Sequence, residues 1–196
     1  MDGNILGLIL TLLLIGLSMA LSLLFKGEVK RKILHIGVSN FVFIYLHFFT
    51  ADLIPVIGLA SFAVLNIFME LKNNTKRFGM VLFPVSVVIL IWLKNLGFGT
   101  RNDVALSILS LGWGDGLAAI VGKYAGKKKM PFVKDKTVIG SVVVFAVTAF
   151  VTVGFKADFG LALLCGVCAC LTECYTPFGF DNISLPLVVY AICSIL

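Results

Sequence analysis

Val104-Ala-Leu-Ser-Ile-Leu-Ser-Leu-Gly-Trp-Gly-Asp-Gly-Leu-Ala-Ala-Ile-Val121 is an apolar run with a single carboxylate, Asp115, set inside it. Its length suits a helix that crosses a bilayer, for which roughly 17–25 residues suffice. An ionisable group at such a place costs about 2.5–3.5 kcal/mol on insertion scales, so Asp115 marks a candidate functional position. The polar sequence continues through Gly122-Lys123, Lys127-Lys128-Lys129, Lys134-Asp135-Lys136-Thr137 and Gly140-Ser141. Six lysines follow Asp115 within 21 residues. They can supply the counter-charge that a phosphorylated ligand requires.

The surrounding composition places this run in a membrane protein. Of 196 residues, 60% are hydrophobic and 13% charged, about half the charged share of soluble domains, and the mean hydropathy is +1.08. The chain reads as one domain, residues 1–196, with an all-α fold: a polytopic bundle of about eight transmembrane helices, seven being the alternative. The expected spans are Ile5–Phe25, Ile33–Phe49, Leu53–Met69, Met80–Leu96, Val104–Val121, Val138–Phe155 and two shorter runs, Phe159–Thr172 and Ile183–Leu196. The short pair must tilt, re-enter or draw in flanking polar residues. Ile5–Phe25 is too long for a signal-peptide core and lacks a basic leader, so it reads as a retained span. No internal repeat is visible.

The net charge of +6 would raise nucleic acid as a partner in a soluble chain. Here the basic residues sit in short loops between apolar runs, which excludes that reading and makes them topology determinants beside anionic lipid. With eight spans, thirteen of the sixteen Lys and Arg fall in odd-numbered loops and only Lys94, Arg101 and Lys156 in even-numbered ones. The odd loops are therefore expected to be cytoplasmic and the N-terminus outside. Three polar clusters then share the cytoplasmic side: Arg31-Lys32-x-x-His35, the segment from Asp115 to Ser141, and Glu173 with Asp181-Asn182.

Each cluster carries a bland reading beside a functional one. Asp115 in Gly112-Trp-Gly-Asp-Gly116 can hold Mg²⁺, which takes one or two carboxylates plus phosphate oxygens; otherwise the glycines serve helix packing and Asp115 pairs with a lysine. Gly122 to Gly140 lacks the spacing and the Ser/Thr of a P-loop. Lys136, Thr137 and Ser141 at the start of a helix can still bind phosphate, whereas Lys127–Lys129 read as a solvated topology signal. Arg31 and His35 are one turn apart on one face, as a phosphate clamp or as an interfacial anchor. Asp181 and Asn182 are also N-cap residue types. His47, without such company, reads as an interfacial residue on the outer face. The five cysteines, four of them between Cys165 and Cys174, lie in apolar helix and read as inert thiols rather than metal ligands or disulfides.

Taken in order, Arg31-Lys32-x-x-His35, Gly114-Asp115-x-x-Ala118-Ala119-x-x-Gly122, Lys136-Thr137-x-x-Gly140-Ser141 and Glu173 with Asp181-Asn182-x-x-x-Pro186 resemble the CTP-dependent lipid kinase family, which includes dolichol kinase, phytol kinase and the yeast-type diacylglycerol kinase. The likeness spans Lys30 to Pro186. Val138-Ile139 departs from it, since relatives usually carry an acidic residue before the glycine. The resemblance implies transfer of the γ-phosphoryl group of CTP to a membrane lipid alcohol, an isoprenoid alcohol or diacylglycerol. It implies Mg²⁺ held by Asp115, Glu173 and Asp181, and phosphate or nucleotide contacts from Arg31, Lys32, Gly114, Gly122, Lys123, Lys136, Thr137, Gly140, Ser141 and Asn182. Asp115, Asp181 and His35 are the candidates for a base. The small size favours a prokaryotic cytoplasmic membrane enzyme acting on phytol or a polyprenol.

The middle block is also similar to phosphatidate cytidylyltransferases. Their C-terminal His-Gly-Gly-x-x-Asp-Arg-x-Asp signature has no counterpart after Gly140, which favours the kinase. A lipid or ion carrier without nucleotide turnover is the non-enzymatic rival. The sequence leaves the oligomeric state open.

Overall fold

The computed structural model describes every residue except 1, 74–78, 131–135 and 177–178, and the side chains of 69, 72 and 73. Lys76, Arg77, Lys134 and the side chain of Lys72, all members of the odd-loop basic set, lie outside the described residues.

Ten α-helices follow one another: α1 (Gly3–Ser22), α2 (Gly27–Ser39), α3 (Phe41–Phe48), α4 (Leu53–Asn73), α5 (Gly79–Asn95), α6 (Arg101–Leu109), α7 (Gly116–Ala125), α8 (Val138–Lys156), α9 (Phe159–Tyr175) and α10 (Asp181–Ile195). A π-helical segment, Ser110–Asp115, joins α6 to α7 without interruption. The fold is the expected helical membrane bundle. Three helical stretches are long and apolar enough to cross a membrane: Gly3–Ser22, Arg101–Ala125 and Val138–Lys156. Helices α9 and α10 extend past the apolar runs to take in Glu173 and Asp181. Their 17 and 15 residues still give only about 22–26 Å at 1.5 Å per residue.

Arg101–Ala125 is the axis of the bundle. Val104 to Leu111 is buried on every side, as expected of a helix that is hydrophobic all round. Helices α2, α3, α5, α8 and α10 pack around this stretch, while α9 backs α8, and α1 and α4 form an outer layer. The N-terminus of α6 is fixed by a capping box, with Thr100 accepting from the Asp103 amide and the Asp103 carboxylate accepting from the Thr100 amide, which satisfies donors a helix start otherwise leaves open.

One expected span differs. Ile33–Phe49 is not a single rod; it breaks at Asn40 into α2 and α3. The Asn40 side chain donates to the Ile36 carbonyl at 2.7 Å, and the Ser39 hydroxyl donates to the same oxygen. Short polar side chains of this kind compete with the backbone for helix partners. At its other end α2 begins earlier than the apolar run, because Gly27 at φ +60° turns the chain and lets the polar Glu28–Lys32 segment join the helix.

The loops sort into two ends. Asn4 bonds Thr50, Asp52 bonds Arg101, and Lys156 pairs with Asp103, so the N-terminus and the even-numbered loops share one end. Lys32, Asp115, Lys136 and Asp181 lie at the other. This is the grouping that the charge count demands.

Candidate functional site

The central helix positions Asp115 through its π segment. A π turn carries one residue more than an α turn, so it rotates α7 about the helix axis relative to α6, and such bulges recur at functional sites. Gly112 and Gly116, one turn apart, press this segment against α2. A Cβ on Gly112 would overlap Ser39, and one on Gly116 would overlap Ile36. The close approach lets the Lys32 ammonium reach Asp115, and the two form a buried ion pair, Lys32 being 6% exposed and Asp115 4%. The pairing with a lysine foreseen for Asp115 is therefore present. Gly114 is not part of this contact; a Cβ there would meet only ordinary neighbours at 3.8 Å or more.

A second group converges from α8, α9 and α10. The Lys136 ammonium lies 2.9 Å from Glu173 Oε1 and 3.2 Å from Asp181 Oδ2, and it also donates to the Glu173 carbonyl. Burial alone would disfavour its charge, but the Asp181 and Glu173 carboxylates outweigh that and raise its pKa above the ordinary lysine value. Ser141 donates to Glu173 Oε2 at 3.3 Å. Asn182 donates to Asp181 and to the Gly179 carbonyl. Asp181 does not cap α10; that position belongs to Phe180, and the carboxylate turns to Lys136.

The two groups are one cluster. Asp115 interacts electrostatically with Lys136, Glu173 and Asp181 as well as with Lys32 and His35. Three carboxylates and two lysines thus share a largely buried volume, leaving a net negative charge before His35 is counted. Two polar atoms beside them, His35 Nε2 and Asn182 Oδ1, are buried without a hydrogen-bond partner among the described residues. Such orphans are few in native proteins, and each asks for an explanation.

The remaining candidates divide. Thr137 caps α8 by accepting from the Gly140 amide at 3.2 Å. Gly122, Gly126 and Gly140 make a tight α7–α8 corner around it, where a Cβ on Gly122 would sit 2.6 Å from the Thr137 hydroxyl. Arg31 pairs with Glu28 near the surface. Lys123 is exposed, with its ammonium 5.6 Å from the Tyr124 ring centroid, away from the cluster. Lys127, Lys128 and Lys129 are exposed as a topology signal would be. All five cysteines are free. The Cys165 and Cys193 sulfurs sit 3.5 Å apart in the core, and the Cys174 thiol donates to the Ser141 hydroxyl at 3.1 Å, at the border of the cluster.

The chain is 28% identical to a phytol kinase of Synechocystis sp., in an alignment covering 82% of this chain and 76% of the relative. It is therefore similar, over most of its length, to a protein named phytol kinase. A probable chloroplastic phytol kinase of Triticum aestivum is 26% identical over 71% of this chain, and one of Oryza sativa subsp. japonica is 30% identical over 53%. The chain spans 52% and 38% of the length of those two plant relatives. No family model matches the chain. No solved structure matches it. The phytol kinase relatives bear out the likeness to lipid kinases drawn from Arg31, Asp115, Lys136 and Asp181.

Among the described residues, no three His, Cys, Asp or Glu side chains are gathered as a ready metal cage. Asp115, Glu173 and Asp181 are instead held by lysines. That donor set fits a magnesium ion that arrives with a triphosphate, since such an ion needs one or two carboxylates and takes its other ligands from phosphate and water.

Sequence reasoning missed the roles of Glu28, Asp52 and Asp103, while the helix packing foreseen for the glycines is made by Gly112 and Gly116. The Thr100-x-x-Asp103 spacing was a readable capping box, and Gly112-x-x-x-Gly116 a readable small-residue stripe. The Asp52 partners come from distant loops and left no local signal.

Proposed function

We propose that this chain phosphorylates the hydroxyl of a membrane lipid alcohol, with CTP as donor and Mg²⁺ as cofactor, on the cytoplasmic face of a membrane. The homology to proteins named phytol kinase carries the reaction class. It also makes an isoprenoid alcohol such as phytol the preferred acceptor over diacylglycerol. The cluster around Asp115 supplies the chemistry. Phosphoryl transfer asks for positioning and charge neutralisation more than for covalent catalysis.

In this reading the resting ion pairs hold the site in shape until substrate arrives. Triphosphate oxygens would take over the Lys32 and Lys136 ammonium groups, with Arg31 reaching the same phosphates. Asp115, with Glu173 or Asp181, would then hold Mg²⁺, which would supply positive charge to offset that of the transferring phosphoryl group. The Ser141 hydroxyl would add a hydrogen bond to the phosphates. The alcohol oxygen attacks the γ-phosphorus, the bond to the β-phosphate oxygen breaks, and CDP leaves. The hydroxyl proton passes to a carboxylate or to His35.

The test is purified chain with Mg²⁺, γ-labelled CTP and a panel of phytol, a polyprenol and diacylglycerol. Label in a lipid phosphate is the expected result. Pyrophosphate and a CDP-lipid from phosphatidate would point to a cytidylyltransferase instead. No labelled lipid across the panel, in protein that remains folded, would sink the kinase reading.

A further inference from the structure

Between α1, α3, α4 and α5 lies an apolar chamber of about 100 Å³. Leu12, Phe41, Pro55, Leu59, Val87 and Ile108 represent its walls. Its one polar side chain, Thr11, is already committed to the Gly7 carbonyl at 2.7 Å. A smaller space of about 20 Å³ adjoins it, sharing the walls Val38, Phe62 and Phe83 and adding Arg31 and His35. The His35 ring stands edge-on to Phe83 with centroids 4.3 Å apart. His35 Nε2 is buried with no partner, and His35 interacts electrostatically with Asp115 and Lys32. The combined space is a long apolar body with one polar end, and that end abuts the carboxylate–lysine cluster.

We infer that this chamber is the binding site for the hydrocarbon chain of the acceptor alcohol, with the hydroxyl donating to His35 Nε2. The inference rests on the lipid alcohol kinase reading for the identity of its occupant. A molecule with one hydroxyl on a branched hydrocarbon matches a cavity with one orphan acceptor and no free polar wall. A two-chain phospholipid with a charged headgroup does not. Burial of a nitrogen without a partner is unfavourable, and the alcohol O–H supplies the partner missing in the resting protein. The placement also brings the hydroxyl to the edge of the site where the lysines would hold the triphosphate. Gly58 is exposed, lines the chamber, and would carry a Cβ that meets nothing within 4 Å. It therefore forms the mouth through which a chain enters sideways from the bilayer.

A C20 isoprenoid alcohol with a diazirine at its tail tests the site by photo-crosslinking to purified protein without nucleotide. The expected adducts fall on α1, α4 and α5 around Leu12, Leu59 and Val87. Unlabelled C20 alcohol should displace the probe at least tenfold better than the C20 hydrocarbon that lacks the hydroxyl, and His35→Phe should abolish that preference. Gly58→Trp should lower the ratio of kcat/KM for the C20 alcohol to that for a C5 prenyl alcohol at least tenfold, with Gly58→Leu giving a smaller drop in the same direction. Adducts on the outer faces of α8 and α9, equal displacement by the hydrocarbon, or an unchanged chain-length ratio would each overturn the inference. Because crosslinking needs no turnover, expected adducts without lipid phosphate would remove the kinase reading and leave the alcohol site standing. Lipid phosphate with adducts elsewhere would do the reverse.

Discussion

The two ends of the bundle solve opposite electrostatic problems. At the end that carries the N-terminus, one carboxylate serves two cations. Asp52 takes the Lys94 ammonium, the Arg101 guanidinium at 2.7 Å and the Tyr45 hydroxyl at 2.9 Å, and Arg101 also stacks over the Tyr45 ring at 4.7 Å. Asp103 takes Lys156 at 2.7 Å. All three basic residues of the even-numbered loops are thereby matched. At the other end the ratio inverts, with three carboxylates around two lysines and two orphaned polar atoms beside them. The first arrangement ties loops together and leaves nothing to bind. The second leaves negative charge and unused acceptors that a magnesium triphosphate and an alcohol would satisfy. A satisfied network reads as a lock, and an unsatisfied one as a site.

That contrast breaks if substitutions at the two ends behave alike. Asp115→Asn should lower turnover at least 100-fold while the protein still elutes as a folded species, because on the kinase reading a magnesium ligand would be lost. Asp52→Asn should leave kcat within about threefold and lower stability by roughly 1–3 kcal/mol. That is less than the 3–5 kcal/mol of a fully buried pair, since Arg101 is partly exposed. Thermal melts and initial rates on the same preparations decide it; an Asp52 variant with intact stability and lost turnover would reverse the assignments.

The packing that presents Asp115 sharpens the comparison within a single helix. Gly112→Ala forces Cβ into Ser39 and should cost activity and stability together, by about 1–3 kcal/mol. Gly114→Ala has room and should stay within about 0.5 kcal/mol of the parent. Equal effects at both positions would mean that the α2 contact does not hold the site.

The smallest effect is in pH. Burial works against ionisation of Asp52, but hydrogen bonds from Lys94, Arg101 and Tyr45 prevail and hold its pKa below the ordinary carboxylate value. A depressed pKa contributes stability that is present above the unfolded value, about 3.9, and is lost as pH falls through the folded one. The melting temperature of the parent should therefore drop below about pH 4 more steeply than that of Asp52→Asn. Parallel curves would remove Asp52 as the source.

Much of this was legible because membrane chains separate their signals. Apolar run length located the helices of every expected span except Ile33–Phe49, which is two helices, and loop charge put Arg31, Asp115, Lys136 and Glu173 at one end before any contact was known. Asp115 stood out because a carboxylate in an apolar run has no cheap explanation. The break at Asn40 was not legible, since Ser39 and Asn40 could equally have pointed outward from an intact helix. Nor was the assignment of Lys32 rather than Lys123 to the buried pair. Both are lysines near a helix end, and only the approach of α2 at Gly112 and Gly116 separates them. Distant partnerships such as Asp52 with Lys94 and Arg101 depend on which loops the fold brings together, and no local pattern encodes that.

The π segment between Ser110 and Asp115 sets a rule for what changes of length the chain tolerates. It holds one residue more than a regular helix needs. Deleting any one residue there would relax the backbone to an ordinary helix and turn everything beyond it by about 100°. The gain in regularity would swing Asp115 off Lys32 and the glycine face off α2. The central helix therefore keeps a locally poorer hydrogen-bond ladder, and drift in this lineage should accept a substitution such as Gly114→Ala far more readily than a single-residue deletion.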